Sequence, residues 1–382
     1  MAKKVILAVA GAGKTYHLCH EIDPNKRNLI LAYTHENIHN IQNELCKAHG
    51  CVPELTTVST FDSFVYHQLI LPYEPSIAEH FGKPEFASKG ISTITPPKNV
   101  IGKSTRTRPF RSNPLYVKKN QLEHYISKQS QYYCGTLSEL VLQVKSEPSL
   151  VKRGAMRMNL FYDYVLIDEF QDFREFDYDL IIKMAKLLTN VVFVGDYNQH
   201  SVSAINNSGK PFKKGTRNVD FYSFVEELKK NGFEVDLTTL DKSRRCSVNV
   251  CNYVNKKLHI EITSNGDHNG DVIWADENPT LVLDNNQIMK LVFKEAGKYS
   301  FEAINWSYSK GDTFSSVCVV LTEVFENLDC DNFNPEGVSP STINKLYVAM
   351  TRSCGDLYLL KSSTFKKYKI KYLKRNQFLN HS

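Results

Sequence analysis

Nowhere in the 382 residues does an apolar run approach the roughly 20 residues that a bilayer-spanning helix needs. A helical membrane anchor is therefore not expected, and the expected location is cytoplasmic, in a bacterium or in the host cell of a virus. The nine cysteines include no C-x-x-C pair, and none stands at metal-ligand spacing from a histidine. That excludes the usual thiolate zinc sites and dithiol redox motifs; an odd count in a long chain reads as reduced thiols. No segment recurs at a short fixed period. Strong strand signals are missing from about residue 65 to 160. Acidic residues are missing from Phe86–Leu122 and from Leu357 to the end, windows that carry eight and seven basic residues respectively.

What is present is ordinary globular composition, 42% hydrophobic and 23% charged, in a chain long enough for about two to three domains. The net charge of +6 suits a polyanionic partner without establishing one. The N-terminal Met1-Ala2-Lys3-Lys4 runs into an apolar stretch that superficially resembles a secretion signal. It breaks at Gly11-Ala12-Gly13-Lys14 and is read as a buried strand.

Short apolar runs alternate with helical patterns, which points to an α/β fold with parallel sheets flanked by helices. Buried strands are expected at Val5–Ala10, Leu29–Tyr33, Val165–Ile167, Val191–Val194, Thr280–Leu283 and Val317–Leu321. Helices are expected at Lys14–Ile22, Glu36–His49, Asp177–Leu188, Val248–Leu258, Ile288–Ala296 and Ile343–Thr351. Residues from about 65 to 160 read as an inserted subdomain, mostly helical or irregular, and Ser88–Pro114 as a loop rich in Thr, Ser, Pro and basic residues. A helical pattern ends at Asn231-Gly232, which puts the expected domain division between 232 and 233.

Three segments carry chemistry. The first is Ala8-Val9-Ala10-Gly11-Ala12-Gly13-Lys14-Thr15, a strand, a glycine-rich turn and a helix start. Backbone N–H groups of such a turn, at the positive end of a helix dipole, can surround a triphosphate. The candidate nucleotide-binding residues are Ala10, Gly11, Ala12, Gly13, Lys14 and Thr15. Lys14 would reach the β- and γ-phosphates and Thr15 would hold Mg²⁺. The second segment is Val165-Leu166-Ile167-Asp168-Glu169-Phe170-Gln171-Asp172, an apolar strand ending in paired carboxylates. Asp168 is the second candidate for Mg²⁺, and Glu169 would orient or deprotonate an attacking water. The third is Val194-Gly195-Asp196-Tyr197-Asn198-Gln199, where Gln199 could sense the γ-phosphate. By itself this third segment reads more readily as a polar turn.

In this order, at these strand ends, the segments resemble the UvrD/Rep-type superfamily 1 helicases. Leu240-Asp241-Lys242-Ser243-Arg244-Arg245-Cys246-Ser247 looks like the family's fourth motif, Ser307-Tyr308-Ser309-Lys310-Gly311-Asp312-Thr313-Phe314 its fifth, and Leu346-Tyr347-Val348-Ala349-Met350-Thr351-Arg352 its sixth. Ala32-Tyr33-Thr34-His35-Glu36-Asn37 and Ser59-Thr60-Phe61-Asp62-Ser63-Phe64 are similar to its early DNA-contacting motifs. The resemblance implies two RecA-like P-loop domains with ATP between them. Arg245 and Arg352 would reach the γ-phosphate from the second domain, and two guanidinium groups can neutralise charge that develops in the transition state. Lys310-Gly311 would couple nucleotide to track. Thr34, His35, Asn37, Thr60, Ser63 and His200 are candidate nucleic-acid contacts by the same resemblance. Arg106, Arg108 and Arg111, in the basic block of the insert, are further candidates, though a solvated loop explains that block equally well.

The chain departs from the family's pattern in four places. It starts about four residues before the first strand, leaving no room for the family's glutamine motif, so preference for ATP over other triphosphates is open. Gln199 is followed by His200-Ser201-Val202, not Ser-Ile-Tyr, and His35 stands where the family has Phe. His35, His200, Tyr33 and Tyr197 are the aromatic candidates for stacking on bases. About 60 residues separate Arg245 from Ser307, too few for the regulatory subdomain of larger relatives. Ser243-Arg244 replaces the usual Asn-Tyr. The expectation is an ATP- and Mg²⁺-dependent helicase or translocase on single-stranded DNA, with RNA open and 3′-to-5′ polarity by analogy. It would be a monomer or weak oligomer, with replication, repair or defence proteins as further partners. An ATPase switch that does not unwind, and a P-loop nucleotide kinase, are the alternatives.

Overall fold

The computed structural model describes residues 3–101, 111–200 and 209–374. The first sheet contains β1 (Lys3–Leu7), β2 (Asn28–Ala32), β3 (Thr56–Thr60), β4 (Tyr164–Ile167), β5 (Val191–Gly195) and β6 (Glu234–Asp236). Their order is β6-β1-β5-β4-β2-β3, and every pair is parallel. Alternation along the strands explains why they are apolar throughout. Ile6, Ile30, Leu166 and Val194 face α1 (Lys14–His20) and α2 (His35–His49), while Val5, Leu31, Ile167 and Phe193 face the opposite layer.

That opposite layer is built by α3 (Leu137–Gln143), α4 (Leu150–Phe161), α5 (Glu175–Leu187) and α6 (Phe221–Lys230). The first two belong to the insert between β3 and β4. It also holds a π-helical turn at Val65–Ile70, a helix at Glu74–His80 and two pairs of two-residue strands. The expected helical or irregular insert is what the chain forms. Packing there is tight: a Cβ on Gly154 of α4 would come within 2.1 Å of Leu69 Cδ2.

After α7 (Val248–Leu258) comes the second sheet: β7 (Val272–Trp274), β8 (Met289–Val292), β9 (Ala303–Asn305), β10 (Val317–Val320) and β11 (Leu357–Leu360). Its order is β7-β11-β10-β8-β9, again parallel throughout. Val317 and Val319 face α7 and α8 (Pro340–Met350); Cys318 and Val320 face α9 (Ser362–Tyr372). The α/β class with two RecA-like sheets therefore stands. No helix among the described residues is long and apolar enough to cross a membrane.

Three expectations are corrected. Thr280–Leu283 is not a strand but lies in a short helix, Pro279–Leu283, where the proline at the first helical position presets its φ. Ile288–Ala296 is not a helix; Met289–Val292 is the strand β8, hydrogen-bonded on both sides. Apolar runs this short do not distinguish the two states by period. The division at 232/233 also moves, because β6 lies beyond it and pairs with β1 through Lys4↔Glu234 and Ile6↔Asp236.

Candidate active site

The glycine-rich turn follows β1. Gly11 and Gly13 both adopt left-handed backbone, φ +72° and +85°, and Gly13 caps α1. A segment leading into the second sheet lies directly against this turn. Val9 N–H donates to Leu240 O (3.0 Å), and Arg244 N–H donates to Gly11 O (2.9 Å). A Cβ on Gly11 would sit 2.6 Å from Arg245 Cβ and 2.7 Å from Ser243 Oγ. Only glycine fits there.

Around the turn lies a cavity of about 530 Å³, within the usual range for a small-molecule site. Gly11, Gly13, Lys14, Thr15, Asp168, Glu169, Gln199, Arg245, Gly311 and Arg352 line it. These residues come from both halves of the molecule and from every motif that sequence reasoning assigned to nucleotide chemistry. Ala10 and Ala12 are the exceptions. Both are buried, and their amides are engaged elsewhere: Ala10 N–H donates to the Tyr347 hydroxyl (2.8 Å), and Ala12 N–H to Val9 O (3.3 Å).

The carboxylates stand at the C-terminal end of β4. Thr15 Oγ1 donates to Asp168 Oδ2 (2.8 Å), which brings the two expected Mg²⁺ ligands together. Among the described residues no group of three His, Cys, Asp or Glu could hold a metal by itself. A hydroxyl and one carboxylate do fit Mg²⁺, which keeps several waters and takes further oxygens from substrate phosphates. Burial and the neighbouring Glu169 charge raise the Asp168 carboxyl. Glu169 goes the other way. Burial would raise it, but Lys14 (3.7 Å) and Lys310 (3.6 Å) outweigh that and keep it ionised. Glu169 has φ +53°, a left-handed conformation for a non-glycine residue. Gln171 Nε2 donates to Glu169 Oε2, while Gln171 Oε1 accepts from Asp196 N–H (2.9 Å), so one amide ties β4 to β5.

From the second half come three cations. Lys310 pairs with Asp172 (2.6 Å). Arg245 donates to Thr351 O (3.1 Å), and Arg352 to Val348 O (2.8 Å) and Asp312 O (3.3 Å). Arg352 is 1% exposed, and its Nη2 has no hydrogen-bond partner among the described residues. Burial and then Arg245 pull its guanidinium down to about 9. Two neighbouring cations, Arg352 buried with an orphaned donor and Arg245 half-buried, fit an anionic phosphate group placed between them and the turn.

The expected nucleic-acid contacts scatter. Thr34 and Thr60 stand at adjacent strand ends, each capping the following helix. His35 is exposed at the start of α2, and Ser63 Oγ contacts His67 Nδ1 (3.2 Å). Asn37 lines the cavity beside the glycine-rich turn. His200 is corrected: it is 6% exposed, stacked on Phe212 (3.8 Å, 3°) and contacted by Asn344 Nδ2 (3.1 Å). A base cannot reach it. Tyr197 packs edge-on against Phe212 and Phe221, which leaves Tyr33, 39% exposed and edge-on to Phe173, among the aromatic candidates. Arg111 lies in a two-residue strand paired with Ile101, and Arg106 and Arg108 lie outside the described residues.

Sequence reasoning missed a whole cavity wall. Tyr16, Asn40, Asn43, Glu44, Lys47, Arg244, His268, Thr313 and Cys354 also line it. Four of the α2 residues, Asn37, Asn40, Glu44 and Lys47, fall three or four positions apart, so the helical period could have marked them as one face.

Residues 2–204 match the family described as AAA domain. No curated protein matches the chain. Similar solved structures include an arterivirus nonstructural protein 10 (helicase) in complex with DNA, at 14% identity and TM-score 0.44. Another is the PRRSV helicase, at 12% identity and TM-score 0.43. These alignments cover 95% and 97% of this chain but only 62% and 54% of the respective viral chains.

Proposed function

The chain belongs to the AAA domain family, and from that premise we propose that it is a nucleic-acid-stimulated nucleoside triphosphatase, a compact superfamily 1 helicase or translocase. One observation carries this reading: Arg245 and Arg352, from the second half, line the same cavity as Lys14, Thr15 and Glu169 of the first.

In this reading Gly11, Gly13 and Lys14 bind the phosphates, and Thr15 and Asp168 hold Mg²⁺. When bound, Mg²⁺ supplies positive charge to the phosphate oxygens. Glu169, ionised and aimed by Gln171, orients the attacking water and accepts its proton. Gln199 hydrogen-bonds beside the γ-phosphate. Arg352 and Arg245 neutralise charge that grows on the transferred group, the task phosphoryl transfer asks of a protein more than covalent chemistry. The two domains divide beyond β6, near Leu240. Single-stranded DNA is the proposed partner, with RNA as the second choice, and ATP the proposed substrate. Polarity of 3′ to 5′ is carried by family analogy alone.

The test is hydrolysis of triphosphate with and without single-stranded DNA and RNA, followed by strand displacement. Stimulated hydrolysis that disappears in Lys14→Ala is the expected result. Hydrolysis that no nucleic acid stimulates would overturn the reading, and stimulation without displacement would leave a translocase or switch.

A further inference from the structure

The phosphate-binding turn, the carboxylates and the two arginines account for one end of the cavity. The other end is walled by α2. Asn37 and Asn40 are one turn apart on that helix, and Asn43, Glu44 and Lys47 continue the wall. A helix face that points at solvent commonly carries charged residues; this one leads with carboxamides. Tyr16, two residues after Lys14 and 47% exposed, also lines the cavity, its ring stacked on His20 (3.8 Å) with Arg244 over it. We propose that Asn37 and Asn40 are the specificity-determining residues for the nucleobase, so that base recognition resides on α2. This rests on the triphosphatase reading given above.

Three observations support it. First, the register of the helices puts α2 beside the phosphate site. Cys19 Sγ contacts Ile41 O, and His20 Nε2 pairs with Glu44 (3.2 Å). The start of α2 therefore lies level with the start of α1, where Lys14 and Thr15 stand. Second, Asn37 is oriented. Its Oδ1 accepts from Thr34 Oγ1 (2.9 Å), and its backbone N–H donates to the same oxygen (3.1 Å). The amide nitrogen is thereby left to donate to an acceptor on the ribose or base. Third, Asn40 is exposed to the cavity. A carboxamide offers a donor and an acceptor side by side, which matches the amino group and adjacent ring nitrogen of adenine. Cytosine offers the same pair, so an adenine nucleotide is the ligand proposed and hydrolysis of CTP is the comparison that separates the two.

The experiment measures steady-state hydrolysis of ATP, GTP, CTP and UTP, together with single-strand DNA affinity. It uses the full chain and the variants Asn37→Ala, Asn40→Ala and Lys14→Ala. Wild type should favour ATP. In Asn40→Ala the preference for ATP over GTP should fall about tenfold, the size of one lost bidentate base contact, through KM for ATP. Its kcat should stay within about twofold, and DNA affinity should not change. Unaltered selectivity in both asparagine variants would overturn the proposal. So would weaker DNA binding with intact selectivity, because α2 would then belong to the nucleic-acid track. Wild type that hydrolyses no triphosphate would remove the underlying reading along with this one, an outcome recognisable because Lys14→Ala would then change nothing.

Discussion

In the proposed reaction Glu169 concentrates the chemistry of the site in one side chain. Its left-handed backbone costs on the order of 1–3 kcal/mol, and the surrounding structure holds it there. Glu169→Gln keeps the size and the Gln171 contact but cannot accept a proton. It should lower kcat by about a hundredfold or more with KM little changed, read by steady-state hydrolysis. A second prediction concerns His200. Burial pushes its imidazole down from about 6.5 to about 4. The folded state therefore resists a proton that the unfolded chain accepts. Stability from this residue is intact above about pH 6.5 and is lost as pH falls toward 4. Denaturant midpoints at pH 7 and pH 4.5 should differ more in the wild type than in His200→Gln. An equal pH slope in the two would contradict the assignment. Residues such as Lys14 and Asp168 were legible because strand ends and local spacing fix where they point. The buried position of His200 was not, since it depends on Phe212 and Asn344, the latter 144 residues away.

At the scale of elements, α8 does more than cover the second sheet. Asn344 and Tyr347, nearly one turn apart, both reach across to the first half. Asn344 Nδ2 meets His200, and the Tyr347 hydroxyl accepts from Ala10 N–H and donates to Asp196 Oδ2 (3.4 Å). Tyr347→Phe removes that acceptor and strands a buried amide. It should cost about 1–3 kcal/mol in chemical denaturation, and hydrolysis should fall with it. In the insert, Gly154→Ala would press a methyl group onto Leu69, itself fully buried. Overpacking of this kind costs about 1–3 kcal/mol, read as a lower denaturant midpoint with unchanged KM. The same scale shows where sequence patterns failed. Thr280–Leu283 carries β-branched and apolar residues that suit a strand, yet Pro279 starts a helical turn there. Met289–Val292 hides a lysine, Lys290, inside a sheet. Its ammonium is hydrogen-bonded to Asn285 O, a contact no periodicity reveals.

For the whole molecule, the two halves meet around one cavity, through polar contacts and through Val9 and Ala10, which pack into the core of the second half. Lys310 of the second half, paired with Asp172 and close to Glu169, is the most direct ionic link. Lys310→Ala should leave basal hydrolysis measurable while reducing its stimulation by single-stranded DNA several-fold, compared as ratios of stimulated to basal rate. An undiminished ratio would show that the link is only structural. The collinear motifs made this meeting of halves legible in outline: those of the first half mark the ends of parallel strands, which share one side of a sheet, while the last one closes α8. The α2 wall was legible only as a helix face three and four residues apart that includes Asn37; that it borders the cavity follows only once α1 and α2 are packed. At the contact itself stands Gly11, where a hydrogen atom faces Arg245 Cβ and Ser243 Oγ. One missing methyl group thus acts as the spacer between two engine blocks. Alanine at that position would work as a wedge, holding the halves ajar whatever the nucleotide.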